Sequence, residues 1–356
     1  MTFKDKTLSA VQEKLTSTGG RILVVQTAFI GDVILVTPLL KAIRDIYPRA
    51  ELHILTIPQC ADIVTGLVDN VITLNKEDRN SLPAAIADLV RQLRSLEFEL
   101  ALIPHRSYRS GRIIKAIGVP VRIGFRRGSG SIFHTHKVKY IFDEYEGHRN
   151  LRLLGPLTDI DGLDSLPLLI PQKADLKRAD EIITELRLTY RRFVILSPAS
   201  VWKTKRWPME YFKELANRIN EEFNLPVLAI GGMSDRELCS SIVIEEQFNL
   251  AGKLSVLGSA ALVQKAGLMI SGDTAPAHIA TAMRIPQVII FGSTVPGFGF
   301  SPALITSKAR ILERRLLCRP CTDHGKNCCI RLNSFKCLYS IEPELVLRIA
   351  GELLCL

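Results

Sequence analysis

The sequence predicts an α/β protein made of two doubly wound, Rossmann-like domains, and three observations carry that expectation. Short aliphatic runs alternate with segments of helical apolar spacing along most of the chain. The runs are apolar throughout, as strands buried on both faces of a parallel sheet are. At 356 residues the chain is also long enough for two cores.

The first run, residues 21–25, is rich in Val, Ile and Leu and reads as a buried strand. It breaks at residues 26–32 and resumes as a helix through Leu39, Leu40, Ile43 and Ile46. Only Gly31 is a glycine there, so the dinucleotide fingerprint G-x-G-x-x-G is absent and a nicotinamide dehydrogenase is disfavoured. The turn holds one carboxylate instead. Asp32 sits between a strand's C-terminal end and a helix, the edge where open α/β sheets take ligands; a helix cap is the plainer role for it. Further strands are expected at 52–57, 71–74, 100–103 and 121–125, with helices at 60–67, 83–96 and about 110–117. Residues 126–131, Arg-Arg-Gly-Ser-Gly-Ser, read as a mobile basic loop. Pro156, Pro167 and Pro171 and the polar residues 172–180 mark a linker, which gives domains 1–171 and 172–356.

A second alternating set begins with a strand at 193–197, a helix at 209–223 and a strand at 227–230 that runs into Gly231-Gly232. A strand over 267–270 and another over 287–292 flank a small-residue turn and a helix. Residues 342–356 are amphipathic, with Val346, Ile349, Ala350 and Leu353 at helical spacing.

The chain carries a formal charge of +10, unevenly placed. Between His105 and Arg152 eleven Lys or Arg face three acids, which suits a polyanionic partner: an anionic membrane face, a phosphorylated glycolipid or nucleic acid. Nucleic acid is set aside because no binding motif accompanies the basic stretch. No apolar run reaches the ~18 residues of a membrane span. The first twenty residues carry Lys4, Asp5, Lys6, Glu13 and Lys14, unlike a secretory signal, so a cytoplasmic location is expected. Five of the eight cysteines cluster at Cys318, Cys321, Cys328, Cys329 and Cys337. A structural zinc site is one reading, reduced thiols the preferred one, and a disulfide the least favoured.

The stretch that organises the chemistry is Ser271-Gly272-Asp273-Thr274-Ala275-Pro276-Ala277-His278-Ile279-Ala280. Thr274 is expected to cap a helix whose first turn holds Pro276. Free N–H groups at such an N-terminus suit phosphate, and Asp273 could grip hydroxyls. A plain strand-to-helix turn is the alternative.

That stretch resembles the nucleotide-sugar signature of the bacterial ADP-heptose:lipopolysaccharide heptosyltransferases, glycosyltransferase family 9. Two further elements are similar to the same family. Ser200-Val201-Trp202-Lys203-Thr204-Lys205-Arg206-Trp207-Pro208 is one, departing just before it at Ala199, where the family usually has Gly. Gly31-Asp32-Val33-Ile34 with Thr37-Pro38 is the other. The resemblance implies a GT-B fold, with the two domains facing across a cleft and the C-terminal helix crossing back to the first. It implies an inverting, metal-independent transfer of heptose from ADP-heptose to a phosphorylated lipopolysaccharide core, with peripheral contact at the inner-membrane face and no cofactor. Asp32 would be the general base. Ser200, Lys205, Asp235, Asp273, Thr274, Ala275 and His278 would bind the donor, and Arg126 and Arg127 would meet the acceptor. The rival readings are a GT-B sugar-nucleotide epimerase and a non-catalytic paralogue that binds a nucleotide sugar.

Overall fold

Apolar runs that are buried on both faces assemble into two parallel sheets, one in each of two units. The computed structural model describes residues 3–76, 78, 80–331 and 334–355. One unit comprises Met1–Ile141 with Glu146–Leu168, the other Phe142–Tyr145 with Leu169–Leu356; the linker prolines had put the division at 171.

The first unit holds β1 (Gly20–Val25), β2 (Ala50–Thr56), β3 (Asn70–Thr73), β4 (Leu100–Ile103), β5 (Val121–Phe125) and β6 (His136–Val138). Their order is β3-β2-β1-β4-β5-β6, all parallel. Val24 of β1 lies between Ile54 of β2 and Leu102 of β4. The strand order therefore reverses between β1 and β4, and the C-terminal ends of these two strands border the crevice where such sheets bind ligands. On one face Leu23, Val25, Ala101 and Ile103 pack with Leu89, Leu93, Ile113 and Ile114.

Several local expectations change. Residues 60–67 form 3-10 turns, Pro58–Cys60 and Asp62–Val64, rather than a helix. The basic segment after β5, expected as a loop throughout, runs from an exposed bend at 126–128 into a 3-10 turn, Ser129–Phe133, with Gly130 buried. A helix over Phe3–Ser17 was not anticipated, because among its described side chains only Val11 and Leu15 are apolar and buried.

The second unit holds β7 (Val194–Ser197), β8 (Val227–Ala229), β9 (Leu268–Gly272), β10 (Gln287–Phe291) and β11 (Ala309–Glu313), in the order β11-β10-β9-β7-β8. Here the order reverses between β7 and β9. The polar residues expected as linker open a helix, Lys173–Glu185, which buries Ala179 and Ile182. The C-terminal helix, Pro343–Leu354, was expected to cross back to the first domain. Its apolar stripe instead belongs to the second unit's core, with Val346, Leu347 and Ala350 beside Leu215 and Ile219. Trp207, 1% exposed, fastens the approach to it by donating to Ile341 O at 2.8 Å. Among the described residues no helix is long and apolar enough to cross a membrane.

Candidate active site

In the first unit β1 ends at Val25 and the chain turns into a short helix, Ile30–Ile34. Asp32 stands in its first turn, half-buried, and its Oδ2 accepts the Phe29 N–H at 3.2 Å. The capping role is therefore real, and it fixes the carboxylate at the sheet's ligand edge. Thr37 holds the next turn by donating to Ile34 O at 2.7 Å. From the far side Asn150 donates to Leu35 O at 2.9 Å.

Around that turn stands a set of ionisable groups. Lys76 donates to Thr27 O, and Thr27 Oγ1 lies 3.0 Å from His105 Nδ1. Two guanidinium groups lie over the Tyr140 ring, Arg106 at 4.2 Å and Arg149 at 4.4 Å. Arg149, with no exposed side chain, pairs with Glu146 at 2.5 Å, and Tyr140 donates to Glu146 at 3.3 Å. Burial pushes the Glu146 carboxyl up to about 7, against the pull of Arg149 and with a further push from Asp32. Cys60 is buried nearby; burial and then Asp32 hold its thiol at about 12. Arg126 and Arg127 are exposed, and the Arg126 N–H donates to Val138 O at 2.7 Å.

In the second unit the ends of β7 and β9 bring two distant motifs together. Lys205 Nζ donates to Asp273 Oδ2 at 2.6 Å and to Asp273 O at 3.0 Å. Thr294, after β10, donates to the same Oδ2 at 2.7 Å. Asp273 is 7% exposed; burial pushes its carboxyl up, but Lys205, Thr294 and His278 together hold it below the ordinary value. A Cβ on Gly272 would lie 2.8 Å from Lys205 O, so only glycine lets the two segments approach this closely. His278 is 4% exposed and its Nδ1 has no hydrogen-bond partner among the described residues. Burial drives its pKa down to about 4, so the ring is neutral at pH 7.

Thr274 occupies the N-cap position of the helix Ala275–Ala282, but its hydroxyl makes no cap bond. It turns back to Gly272 O at 3.4 Å. Ala275 opens the helix, its N–H ahead of any intrahelical partner. Ser200 and Asp235 hold their own turns: Ser200 Oγ accepts the Trp202 N–H at 3.2 Å and Asp235 Oδ2 the Gly232 N–H at 2.9 Å. Neither shares a hydrogen bond with the Lys205–Asp273 pair among the described residues. None of the eight cysteines is in a disulfide, and among the described residues no group of three His, Cys, Asp or Glu is arranged to hold a metal ion.

Sequence reasoning passed over Thr294, Thr27, Lys76 and His105. A signal for His105 was present: it lies two residues beyond β4, at the same sheet edge that singled out Asp32.

Residues 86–329 match the family model "Glycosyltransferase family 9 (heptosyltransferase)", which spans both of the second unit's motifs. The lipopolysaccharide core heptosyltransferase OpsX of Haemophilus influenzae is 24% identical over 283 residues, covering 76% of this chain and 78% of that protein. Among solved structures, a glycosyl transferase family 9 protein from Veillonella parvula superposes with a TM-score of 0.79 at 20% identity, covering 96% of this chain and 98% of that one. The E. coli heptosyltransferase WaaC with ADP-2-deoxy-2-fluoro heptose gives 0.69 at 17% identity, covering 93% and 99%.

Proposed function

Because the chain belongs to glycosyltransferase family 9, the heptosyltransferases, we propose that it moves heptose from ADP-heptose to a hydroxyl of the lipopolysaccharide inner core, with inversion at the anomeric carbon. The observation that carries this reading is the Lys205–Asp273 pair, set where the sheet order reverses and beside the N-terminus of the helix Ala275–Ala282. An ammonium has three N–H bonds; Asp273 takes two of those of Lys205, and the third is available to a diphosphate.

In the transfer, Asp32 takes the proton of the acceptor hydroxyl as that oxygen attacks the anomeric carbon. The bond from that carbon to ADP breaks, and the electron pair leaves on the diphosphate. Lys205 and the N–H group at Ala275 meet the charge that develops there, the Thr274 N–H being bonded to Gly272 O at 2.9 Å, so the reading needs no metal ion or other cofactor. Asp273 orients Lys205 and the sugar, and the unpartnered Nδ1 of His278 is a further polar contact for the donor. Ser200 and Asp235 shape the donor-side turns, while Arg126 and Arg127 face the acceptor's phosphates. The acceptor being lipid-anchored, the protein would work from the cytoplasm in peripheral contact with the inner-membrane face. OpsX is named for the lipopolysaccharide core and WaaC was solved with an ADP-heptose analogue; both support this substrate pair.

Incubation with ADP-heptose and defined truncated core acceptors, followed by mass spectrometry, tests it. One added heptose on the acceptor is expected. A free sugar product formed without acceptor would favour the epimerase reading.

A further inference from the structure

Beside the turn that carries Asp32 stand cations that form no ion pair among the described residues, although the Glu146 carboxyl, already paired with Arg149, also feels the charge of Arg106. Between Leu100 and Phe142 the sequence holds nine Lys or Arg and no Asp or Glu. Two groups meet at Thr27: Lys76 bonds its carbonyl, and His105 its hydroxyl. Arg106 follows His105 directly and is held over the Tyr140 ring, while Arg109 lies in the first turn of the helix Tyr108–Ile117. Among the described residues no carboxylate pairs with Lys76, Arg106 or Arg109. Bringing like charges together at a half-buried place costs free energy, and the cost is visible in two neighbours. Burial, and then Arg109, lower the Lys76 ammonium. Burial, and then Lys76, Arg106 and Arg109, hold His105 at about 4.

His105 is tuned for the same place. Its Nδ1 lies 3.0 Å from Thr27 Oγ1 and 2.9 Å from Ser110 Oγ. Ser107 donates to Ser110 Oγ at 3.1 Å, leaving the Ser110 proton for the ring. With the Ser110 hydroxyl donating to Nδ1, the ring proton sits on Nε2, and the neutral imidazole offers one N–H.

We propose that Lys76, Arg106 and Arg109, with His105 as a neutral donor, form an anion-binding site at the switch point of the first sheet. It takes a carboxylate or phosphate group carried by the acceptor close to the reacting hydroxyl. Its place supports this: β1 delivers Asp32 and β4 delivers His105 to the same crevice of the strand order. An anion seated here would offset the mutual repulsion of the three cations and anchor the acceptor beside the base. The existence of the site stands on the first unit alone; naming its ligand as the acceptor rests on the transfer reading.

The test uses the whole chain with isotope-labelled histidine, the His105 resonances being assigned by their loss in His105→Gln. Inorganic phosphate and acetate are titrated separately, into the wild type and into Lys76→Met/Arg109→Met. The site predicts a saturable shift of the His105 ring in the wild type, at least tenfold weaker in the double variant. Tighter phosphate assigns a phosphate ester, and tighter acetate a carboxylate. A His105 ring unmoved by either anion, or moved equally in both proteins, overturns the site. Kinetics supply the second arm: the double variant should raise the acceptor KM about tenfold or more and leave the donor KM unchanged. Transfer with an unaltered acceptor KM overturns the acceptor as its ligand. Saturable anion binding without any heptose transfer would keep the site and overturn the transfer reading instead.

Discussion

Lys205 is the counter-ion of Asp273 and, in the proposed reaction, a contact for the diphosphate, and its replacement separates the two roles. Removing it leaves Asp273 buried without its counter-ion, a loss that typically costs about 3–5 kcal/mol. On the proposed reading it also removes a charge-assisted contact to the diphosphate, about 1.5–3 kcal/mol of ADP binding. Lys205→Ala should therefore lower both the melting temperature and the affinity for ADP. Adding Asp273→Asn should restore much of the stability while ADP stays weakly bound, as melts and calorimetry would read. An ADP affinity restored to the wild-type value would leave Lys205 as a counter-ion only. His278 gives a pH signature. Unfolded, it binds a proton below about 6.5; folded, only below about 4. The unfolded chain thus binds more protons in that window, and stability present above pH 6.5 is lost as the pH falls towards 4, by about 3 kcal/mol in full. His278→Gln should flatten that loss in melts taken from pH 7 to 4; an unchanged slope would place the titration elsewhere. Each of these residues was visible in the sequence as a motif member. Their contact was not, because Lys205 and Asp273 are 68 positions apart and only the pairing of β7 with β9 joins them.

At the scale of elements, glycine decides how closely the loops approach the sheet edge. Gly128 has φ +109°, and a Cβ there would lie 2.6 Å from Arg106 Cβ and 2.6 Å from Arg106 O. Gly128→Ala is expected to destabilise the first unit by about 1–3 kcal/mol and to push the segment bearing Arg126 and Arg127 away from Arg106. The acceptor KM should then rise with ADP affinity unchanged; a variant with wild-type melting and kinetics would mean the close approach does not matter. This packing was hidden from the sequence, where Gly and Ser beside two arginines look like a solvated loop. The strands of both sheets were legible because each is an apolar run. The exceptions are explained by the same rule: β6 is three residues, His-Lys-Val, on a sheet edge, and β11 is half polar on the other. The helix Lys173–Glu185 looked like a linker because it buries only Ala179 and Ile182.

At the scale of the whole molecule, the groups assigned to the reaction are divided between the units: Asp32 and the unpaired cations on the first, the Lys205–Asp273 pair on the second. Each set stands where its own sheet reverses strand order, so topology locates both. Only chemistry distinguishes a base from a diphosphate grip. The division was legible in outline, since three motifs in fixed order pointed to one family. The anion-binding groups were not, because His105, Lys76 and Thr27 come from three separate loops. The central claim is that Asp32 activates an acceptor hydroxyl to displace ADP from a heptose. Its most direct test is the rate of ADP release from ADP-heptose, with and without a truncated core acceptor, for the wild type and Asp32→Asn. Release that requires acceptor, matches heptosylated product mole for mole and falls by roughly 10²–10⁴ in the variant while ADP binding persists is the predicted result. ADP release without acceptor, or an Asp32→Asn rate within about threefold of the wild type, would contradict it, the second placing Asp32 among ordinary helix caps.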